Sequence, residues 1–383
     1  MKHPTNHFFS FTQDTFQDWC AQHKLPKFRA KQIMEWVYEK GVVDPMLMTN
    51  LSNRDRELLS NEICFLSGPT VAHQLATDGT QKLLIEWPDD IETSKIEAAE
   101  AGVDQSNRLP IVGQDMPYSN TARQTECVMI PAIDTDRRTA CVSSQIGCPV
   151  GCKFCATGIG GLDGNLSAGR IVEQVWRLNQ LKGVGRISNV VFMGMGEPLA
   201  NFAPVVQAVQ TLAAPAPWGM GISARKITIS TVGMHKAIEK LAEELHLPVT
   251  LALSIHAPND TLRRQLIPWA EFTTINQLVE ACSNWFKKTG REITLEYILL
   301  GGVNDRPEHA AELAGIVKKL RANVNLIRYN EVKGLQFDRP TGDDVHHFQR
   351  VLREQGVNCH IRASRGRDIA AACGQLRHEL TPS

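Results

Sequence analysis

From about residue 139 to residue 364, short β-rich runs alternate with amphipathic stretches, and this alternation constrains the fold more than any other feature. Strands are expected at 139–144 (TACVSS), 189–194 (NVVFMG), 226–231 (KITIST), 249–256 (VTLALSIH), 292–300 (EITLEYILL), 324–329 (VNLIRY) and 359–364 (CHIRAS). Helical patterns fall between them, near 167–182, 202–213, 235–245, 274–288, 308–321 and 343–356. The first has Ser167 as its N-cap, with Ile171, Val175, Leu178 and Lys182 at helical spacing. A strand–helix repeat this regular predicts an α/β fold built on a parallel sheet, open or closed into a barrel. In either form the active site lies at the carboxyl ends of the strands. Polar and glycine motifs follow the strands as that rule demands: GMGEP after 189–193, STVG after 226–229, SIHAPND after 249–253, and Asn330 after 324–329.

The densest chemistry is QIGCPVGCKFCATG (145–158), which holds Cys148, Cys152 and Cys155 in a C-x3-C-x2-C spacing. Structural zinc takes four ligands, commonly as two knuckles, and no second CxxC or HxxxH follows here. A zinc deaminase would show H-x-E and a later P-C-x-x-C, which are also missing. A redox CxxC pair has no use for Cys148. Cubane iron–sulfur clusters are normally held by four thiolates. Three thiolates leave one iron open to a substrate, so the stretch reads as an iron–sulfur catalyst.

The rest of the chain sets the context. Ten cysteines in 383 residues, scattered apart from that cluster, fit a reducing compartment better than a disulfide scaffold. The opening MKHPTNHFFSFTQDTF lacks the apolar core of a secretory leader, and no run is long and apolar enough for a membrane span, so a cytoplasmic protein is expected. Lys plus Arg equals Asp plus Glu at 41 each, so any nucleic-acid footprint has to be local. Residues 27–61 read as two short helices split by a Pro/Asp turn, and DGTQKLLIEWP as a turn and a strand. The expected organisation is an N-terminal accessory domain at 1–88, an acidic insertion or loop at 89–122, and a barrel with a C-terminal segment at 123–383.

Phe154 before the last cysteine, with the cluster motif placed after the first barrel strand, resembles the radical S-adenosylmethionine superfamily. The motifs TACVSSQIGCPVGCKFCATG, FMGMGEPLANF, ITISTVG, LALSIHAPND, EYILLGGVND, VNLIRYN and DIAAACGQL together resemble the RNA adenine methyltransferases of the RlmN/Cfr group, and FRAKQIMEWVY (28–38) resembles their N-terminal RNA-contacting domain. The resemblance implies a partial TIM-like (β/α)6 barrel with a small N-terminal helical accessory domain. It implies one [4Fe–4S] cluster on Cys148, Cys152 and Cys155, whose open iron takes the amino and carboxylate groups of S-adenosylmethionine. Reductive cleavage then gives a deoxyadenosyl radical, the kind of cofactor chemistry that an unreactive adenine carbon requires.

Further roles are implied on the same basis. Cys373 becomes methylated and carries the methyl as a radical to adenine; Cys141 resolves the adduct through a transient disulfide with Cys373; Glu126 accepts the proton, with Glu92 as an alternative. Gly196, Glu197, Ser230, Ser254, Ile255, His256 and Asn330 are carried over as S-adenosylmethionine contacts, with Glu197 accepting from its ammonium group. Cys20, Cys64, Cys127, Cys282 and Cys359 are left as structural. Lys24, Lys27, Arg29 and Lys31, and Arg362, Arg365 and Arg367 beside Cys373, offer an RNA surface.

The implied partners are 23S rRNA at the peptidyl-transferase centre, tRNA at the adenosine next to the anticodon, and an electron donor such as flavodoxin or ferredoxin, with the chain a monomer. C2 is the expected carbon. Arg328–Tyr329, where C2-methylating members usually carry proline and an aromatic, keeps C8 methylation as an alternative. A zinc-holding RNA-binding protein is the non-enzymatic alternative.

Overall fold

All seven expected strands and all six expected helices are present in a computed structural model that describes residues 1–89, 123–133 and 135–376. In chain order the helices are α1 (Gln13–Gln22), α2 (Lys27–Met34), α3 (Asn53–Glu62), α4 (Ala168–Asn179), α5 (Phe202–Ala213), α6 (His235–Glu244), α7 (Asp260–Leu266), α8 (Ile275–Thr289), α9 (Pro307–Val317) and α10 (Gly342–Glu354). The strands are β1 (Thr70–Leu75), β2 (Gln81–Glu86), β3 (Gln124–Pro131), β4 (Arg138–Cys141), β5 (Gln145–Gly147), β6 (Leu162–Asn165), β7 (Asn189–Phe192), β8 (Ile227–Thr231), β9 (Thr250–Ser254), β10 (Ile293–Leu299), β11 (Ala322–Arg328) and β12 (Cys359–Arg362). Glu92 and nearly all of the 89–122 stretch lie outside the described residues.

Among the described residues the main sheet has ten strands in the order β1-β2-β3-β4-β7-β8-β9-β10-β11-β12. From β4 to β12 every pairing is parallel and every new strand joins the last one. Strand order therefore never reverses, the arrangement that winds a sheet in one direction as a barrel does. Six strand–helix units and a closing β12 make a partial barrel, since β12 and β1 stand at opposite ends of the sheet. The sequence reading does not anticipate α1, β1 or the two-stranded β5–β6 ribbon.

Alternation along the strands separates two faces. Leu295, Tyr297 and Leu299 of β10 join the large core under the helices, whereas Ile298 faces a second apolar cluster containing Cys148, Cys152, Cys155, Tyr329 and Cys373. The barrel interior thus meets the cysteine motif.

Helix α4 is capped by Ser167, whose Oγ accepts from the Arg170 amide at 3.3 Å, and it is buried on every side from Ala168 to Leu178. Its apolar stripe faces the sheet. Its polar stripe, Arg170, Glu173 and Arg177, is covered by the N-terminal region. Glu173 accepts from the Ser67 amide (3.0 Å) and hydroxyl (2.7 Å), from Arg177 Nε (2.9 Å), and pairs with His7 Nε2 (3.0 Å). Trp176 donates to the Val37 carbonyl at 3.0 Å and meets the Phe9 ring at 5.8 Å. One apolar core runs from Phe8, Phe16 and Trp19 through Val175 to the barrel strands.

Burial alone would raise the Glu173 carboxyl, but Arg177, His7 and Ser67 outweigh it and hold it at about 2, against a usual 4.5. A depressed carboxyl stabilises the fold above its unfolded value, and that contribution fades as pH falls from 4.5 through 2. Stability measured by urea titration should drop across that window. Glu173→Ala should cost about 3–5 kcal/mol at neutral pH, because the buried Arg177 and His7 would lose the carboxylate they share.

Candidate active site

The β5–β6 ribbon forms the neck of the cysteine loop. Gly147 pairs with Leu162, and the Cys148 amide donates to the Gly161 carbonyl at 2.8 Å. Within the loop the Cys155 amide donates to the Cys152 carbonyl (3.1 Å), and the Lys153 amide to the Leu266 carbonyl at the end of α7 (3.0 Å). Phe154 turns into the barrel and meets His256 edge to face at 5.1 Å. All three cysteines are half-buried against Val150, Phe154 and Tyr329.

Burial pushes the Cys148 thiol up to about 12, and Cys155 adds to the push. Burial likewise raises Cys152, reinforced by Cys155 and Cys148, and raises Cys155. Three thiolates facing one apolar pocket need a cationic centre to exist together. Among the described residues no group of three or more His, Cys, Asp or Glu is gathered tightly enough for a single metal ion. A cubane asks for something different, since its thiolates bond different irons across the cluster. The donor set fits such a cluster.

The residues named from sequence as cofactor contacts lie at or just after the carboxyl ends of β7, β8, β9 and β11. Gly196 follows β7 with φ +98°, and a Cβ there would lie 2.6 Å from the Gln145 Cβ. Glycine is required for both reasons. Gly196→Ala should push Gln145 off the Glu197 amide, which donates to Gln145 Oε1 at 2.8 Å. Affinity for S-adenosylmethionine, read by calorimetry, should fall about tenfold or more as the loop shifts.

Glu197 is buried, and its carboxylate oxygens accept from the Leu199 amide (3.0 Å) and the Val232 amide (2.8 Å), which ties the β7 loop to the β8 loop. Burial lifts this carboxyl to about 6, against the pull of those amides. Ser230 and Ser254, on neighbouring strands, place their hydroxyls 3.3 Å apart. Ile255 is core, its amide donating to the Glu296 carbonyl at 3.1 Å.

His256 adopts φ +55°, a costly backbone for a non-glycine residue. Asn304 Nδ2 holds its carbonyl at 2.8 Å, and the Ile298 amide donates to its Nδ1 at 3.0 Å, leaving the ring proton on Nε2. Burial, aided by Arg263, lowers its pKa to about 3, so the ring is neutral.

Cys141, at the carboxyl end of β4, and Cys373 line a single cavity of about 420 Å³ together with Met193, Asn330 and Arg362. The Cys373 segment is bonded directly to the cysteine loop. The Ala156 amide donates to Gly374 at 2.8 Å, Thr157 Oγ1 to Leu376 at 2.5 Å, and Asn330 Nδ2 to the Cys373 carbonyl at 3.3 Å. Burial pushes Cys141 up to about 12; Cys373 adds to this and Arg362 opposes it. Glu126 shares the face of β3 that carries Val128, the register partner of Cys141. It is buried and ion-paired with Lys82 at 2.6 Å, and Lys82 also donates to the Ala370 carbonyl at 3.3 Å.

Comparison with known proteins places this geometry. The Radical SAM superfamily model matches residues 142–314, and the ribosomal RNA large subunit methyltransferase N-terminal domain matches residues 7–65. The "Probable dual-specificity RNA methyltransferase RlmN" of Rhodopirellula baltica is 38% identical over 97% of this chain and 91% of that protein. The chain belongs to the RlmN family of radical SAM RNA methyltransferases. The "Dual-specificity RNA methyltransferase RlmN" of Dichelobacter nodosus is 37% identical over 96% of this chain and 93% of its own length. A crystal structure of a radical SAM methyltransferase from Sphaerobacter thermophilus superposes with a TM-score of 0.85 at 36% identity, covering 97% of this chain and 99% of that one.

As an RlmN-family enzyme the chain works with a [4Fe–4S] cluster and S-adenosylmethionine. The zinc-holding alternative is thereby set aside. No helix among the described residues is long and apolar enough to cross a membrane.

The expected basic surface divides in two. Lys24, Lys27 and Lys31 are exposed, as is Arg367. Arg29, by contrast, bridges Asp55 (3.2 Å) and the Asn50 carbonyl (2.9 Å), and Arg362 points into the cavity, not onto the surface. Lys82, Glu296 and Asn304 are site residues that sequence reasoning missed. Glu296 and Asn304 had a signal, since both stand in the EYILLGGVND motif; Lys82 had none beyond its strand.

Proposed function

We propose that this enzyme methylates C2 of an adenosine in 23S rRNA at the peptidyl-transferase centre, and of the tRNA adenosine next to the anticodon, through a methyl carried on Cys373. The observation that carries this is the shared cavity of Cys141 and Cys373, with the Cys373 segment hydrogen-bonded to the loop bearing Cys148, Cys152 and Cys155. Relatives named dual-specificity support two RNA substrates.

Cys148, Cys152 and Cys155 hold the cluster, and Gly196, Glu197, Ser230, Ser254, Ile255, His256 and Asn330 surround the cofactor. When bound, cluster and S-adenosylmethionine supply the methyl group and the one-electron chemistry that activates it. The chain does the rest. Asn330 fixes the Cys373 backbone. Glu126, ion-paired with Lys82, accepts the proton from the base carbon. Cys141 attacks the Cys373 sulfur, and the transient disulfide frees the product.

Arg137 and Arg365 line the cavity with Ile133, and two cations at a mouth suit the phosphates flanking an unstacked base. A flavodoxin or ferredoxin supplies the electron, and the enzyme acts as a monomer.

Arg328 donates through Nε to the Pro340 carbonyl at 2.8 Å, and Tyr329 is buried beside the cysteine loop; neither lines the cavity, whereas Ile327 and Asn330 do. That pair therefore gives C8 no support at the base. Nucleosides released from RNA treated with the reconstituted enzyme should contain 2-methyladenosine by mass spectrometry. A product that is only 8-methyladenosine would reverse the choice of carbon.

A further inference from the structure

Arg362 closes the sheet at the carboxyl end of β12 and lines the cavity that holds both cysteines. Its Nη1 donates to the Met193 sulfur at 3.3 Å, a weak acceptor, and stands 4.0 Å from Oε2 of Glu296. Glu296 is buried on β10; its Oε1 accepts from Asn325 at 2.9 Å, while Oε2 has no hydrogen-bond partner. A guanidinium with five donors is thus only loosely held from below, in the same cavity that both sulfurs line.

We propose that Arg362 is a positioning residue for the thiol exchange, the counter-cation against which the Cys141 thiolate forms, and that Glu296 tempers its strength. This rests on the reading in which Cys141 resolves an adduct on Cys373.

The need for such a cation comes from burial. With its thiol pushed up to about 12, Cys141 is almost wholly protonated at neutral pH, and the thiolate is the attacking species. In the step, the Cys141 S–H bond breaks and its proton leaves to water at the cavity mouth. The S–S bond to Cys373 then forms as the bond from that sulfur to the base-bound carbon breaks. The electron pair of that bond goes to the carbon, which takes up a proton; the two sulfurs are oxidised and the carbon is reduced by the same two electrons. An external thiol reductant later restores the pair. Charge is concentrated on sulfur only before the attack, so a cation beside Cys141 raises the population of the reactive state.

The charged groups facing Arg362 agree with this. Cys373 is the largest cause of an upward push on Arg362, burial opposes it, and Glu296 and Cys141 add to it. Arg137 and Arg365 also line the cavity, and Arg365 is drawn to Asp78 at 3.9 Å. Lys82 is engaged with Glu126 and the Ala370 carbonyl.

The test is alkylation by iodoacetamide of the full-length, cluster-reconstituted, reduced enzyme, followed at Cys141 and Cys373 by peptide mass spectrometry from about pH 6 to about pH 9. Arg362→Gln should slow alkylation of Cys141 about tenfold at neutral pH, and Arg362→Lys should stay within about threefold of the parent. Glu296→Gln should move the other way and speed it, since the carboxylate no longer competes for the guanidinium. A merely structural pair would slow or scramble both.

An Arg362→Gln profile superimposed on the parent, with cluster absorbance intact, overturns the proposal, as does slowing in Glu296→Gln. Should Arg362→Gln lose its cluster, the Lys and Gln variants at the two positions decide alone. The carrier reading is checked separately by the added methyl mass on the Cys373 peptide after incubation with S-adenosylmethionine. If that mass is missing the carrier reading fails, while the alkylation rates still judge Arg362.

Discussion

Cys141→Ala enzyme, given RNA, reductant and S-adenosylmethionine, should stop after one event and remain covalently joined to its substrate. Once the Cys373 sulfur is bonded through a methylene carbon to the base, release requires a nucleophile at that sulfur. The cavity provides Cys141 for this, on the adjoining strand end, and alanine at 141 leaves the space but removes the thiol. Turnover should fall by about 10³–10⁶-fold, the range for losing a covalent participant. A nuclease-sensitive, slower-migrating protein band should appear in proportion to the enzyme added. Cys373→Ala gives the control, because with no carrier sulfur it should form neither adduct nor methylated base. Steady release of methylated base by the Cys141 variant would remove the resolving role.

Much of this was legible in the sequence because the barrel repeats one physical unit. Each strand was a short β-rich run and each helix an amphipathic stretch between two such runs, so existence and order of elements followed from local pattern. What local pattern lacks is the partner of a polar face. Helix α4 shows the point: Ile171, Val175 and Leu178 were readable as a core stripe, but Arg170, Glu173 and Arg177 look like an ordinary solvated face until His7, Ser67 and Gly68 are brought over them. Lys182, placed at helical spacing in sequence, lies beyond the helix end at Asn179. Helix α1 was missed for a related reason, since its ten residues are mostly polar and only Phe16, Trp19 and Cys20 reach the core.

The site divides along similar lines. Motifs placed the loops after their strands, and the strand-end rule placed those loops together. Geometry then changed the account of individual residues. Glu197 spends both carboxylate oxygens on backbone amides of two loops, so its first task is to hold the pocket's shape. His256 is neutral and pinned through Nδ1, which leaves Nε2–H as its donor. Arg362, grouped in sequence with the RNA-facing cations, instead lines the cavity that holds Cys141 and Cys373. Nothing in a linear pattern distinguishes a cation that faces outward on a strand end from one that faces in.

Cys152→Ala should abolish the enzyme at an earlier stage than either cavity cysteine. The three cysteines lie in one short loop whose neck is fixed by the β5–β6 ribbon and whose far side is bonded to Gly374 and Leu376. With only three protein ligands, an open cluster has no reserve, and removing one leaves two irons unprotected. Iron should drop from about four per chain to near zero, and the brown absorbance should vanish. Methylated base should fall below detection, since both the radical step and the carrier step need the cofactor held there. The loop's own hydrogen bonds are mostly backbone, so the chain should still fold, with circular dichroism close to the parent. Cys373→Ala should behave oppositely, keeping iron and colour while making no product. An iron-free Cys152→Ala enzyme that still methylates RNA would sink the cluster assignment, and a Cys373→Ala enzyme that loses its iron would mean the C-terminal segment acts on the cluster and not on the methyl.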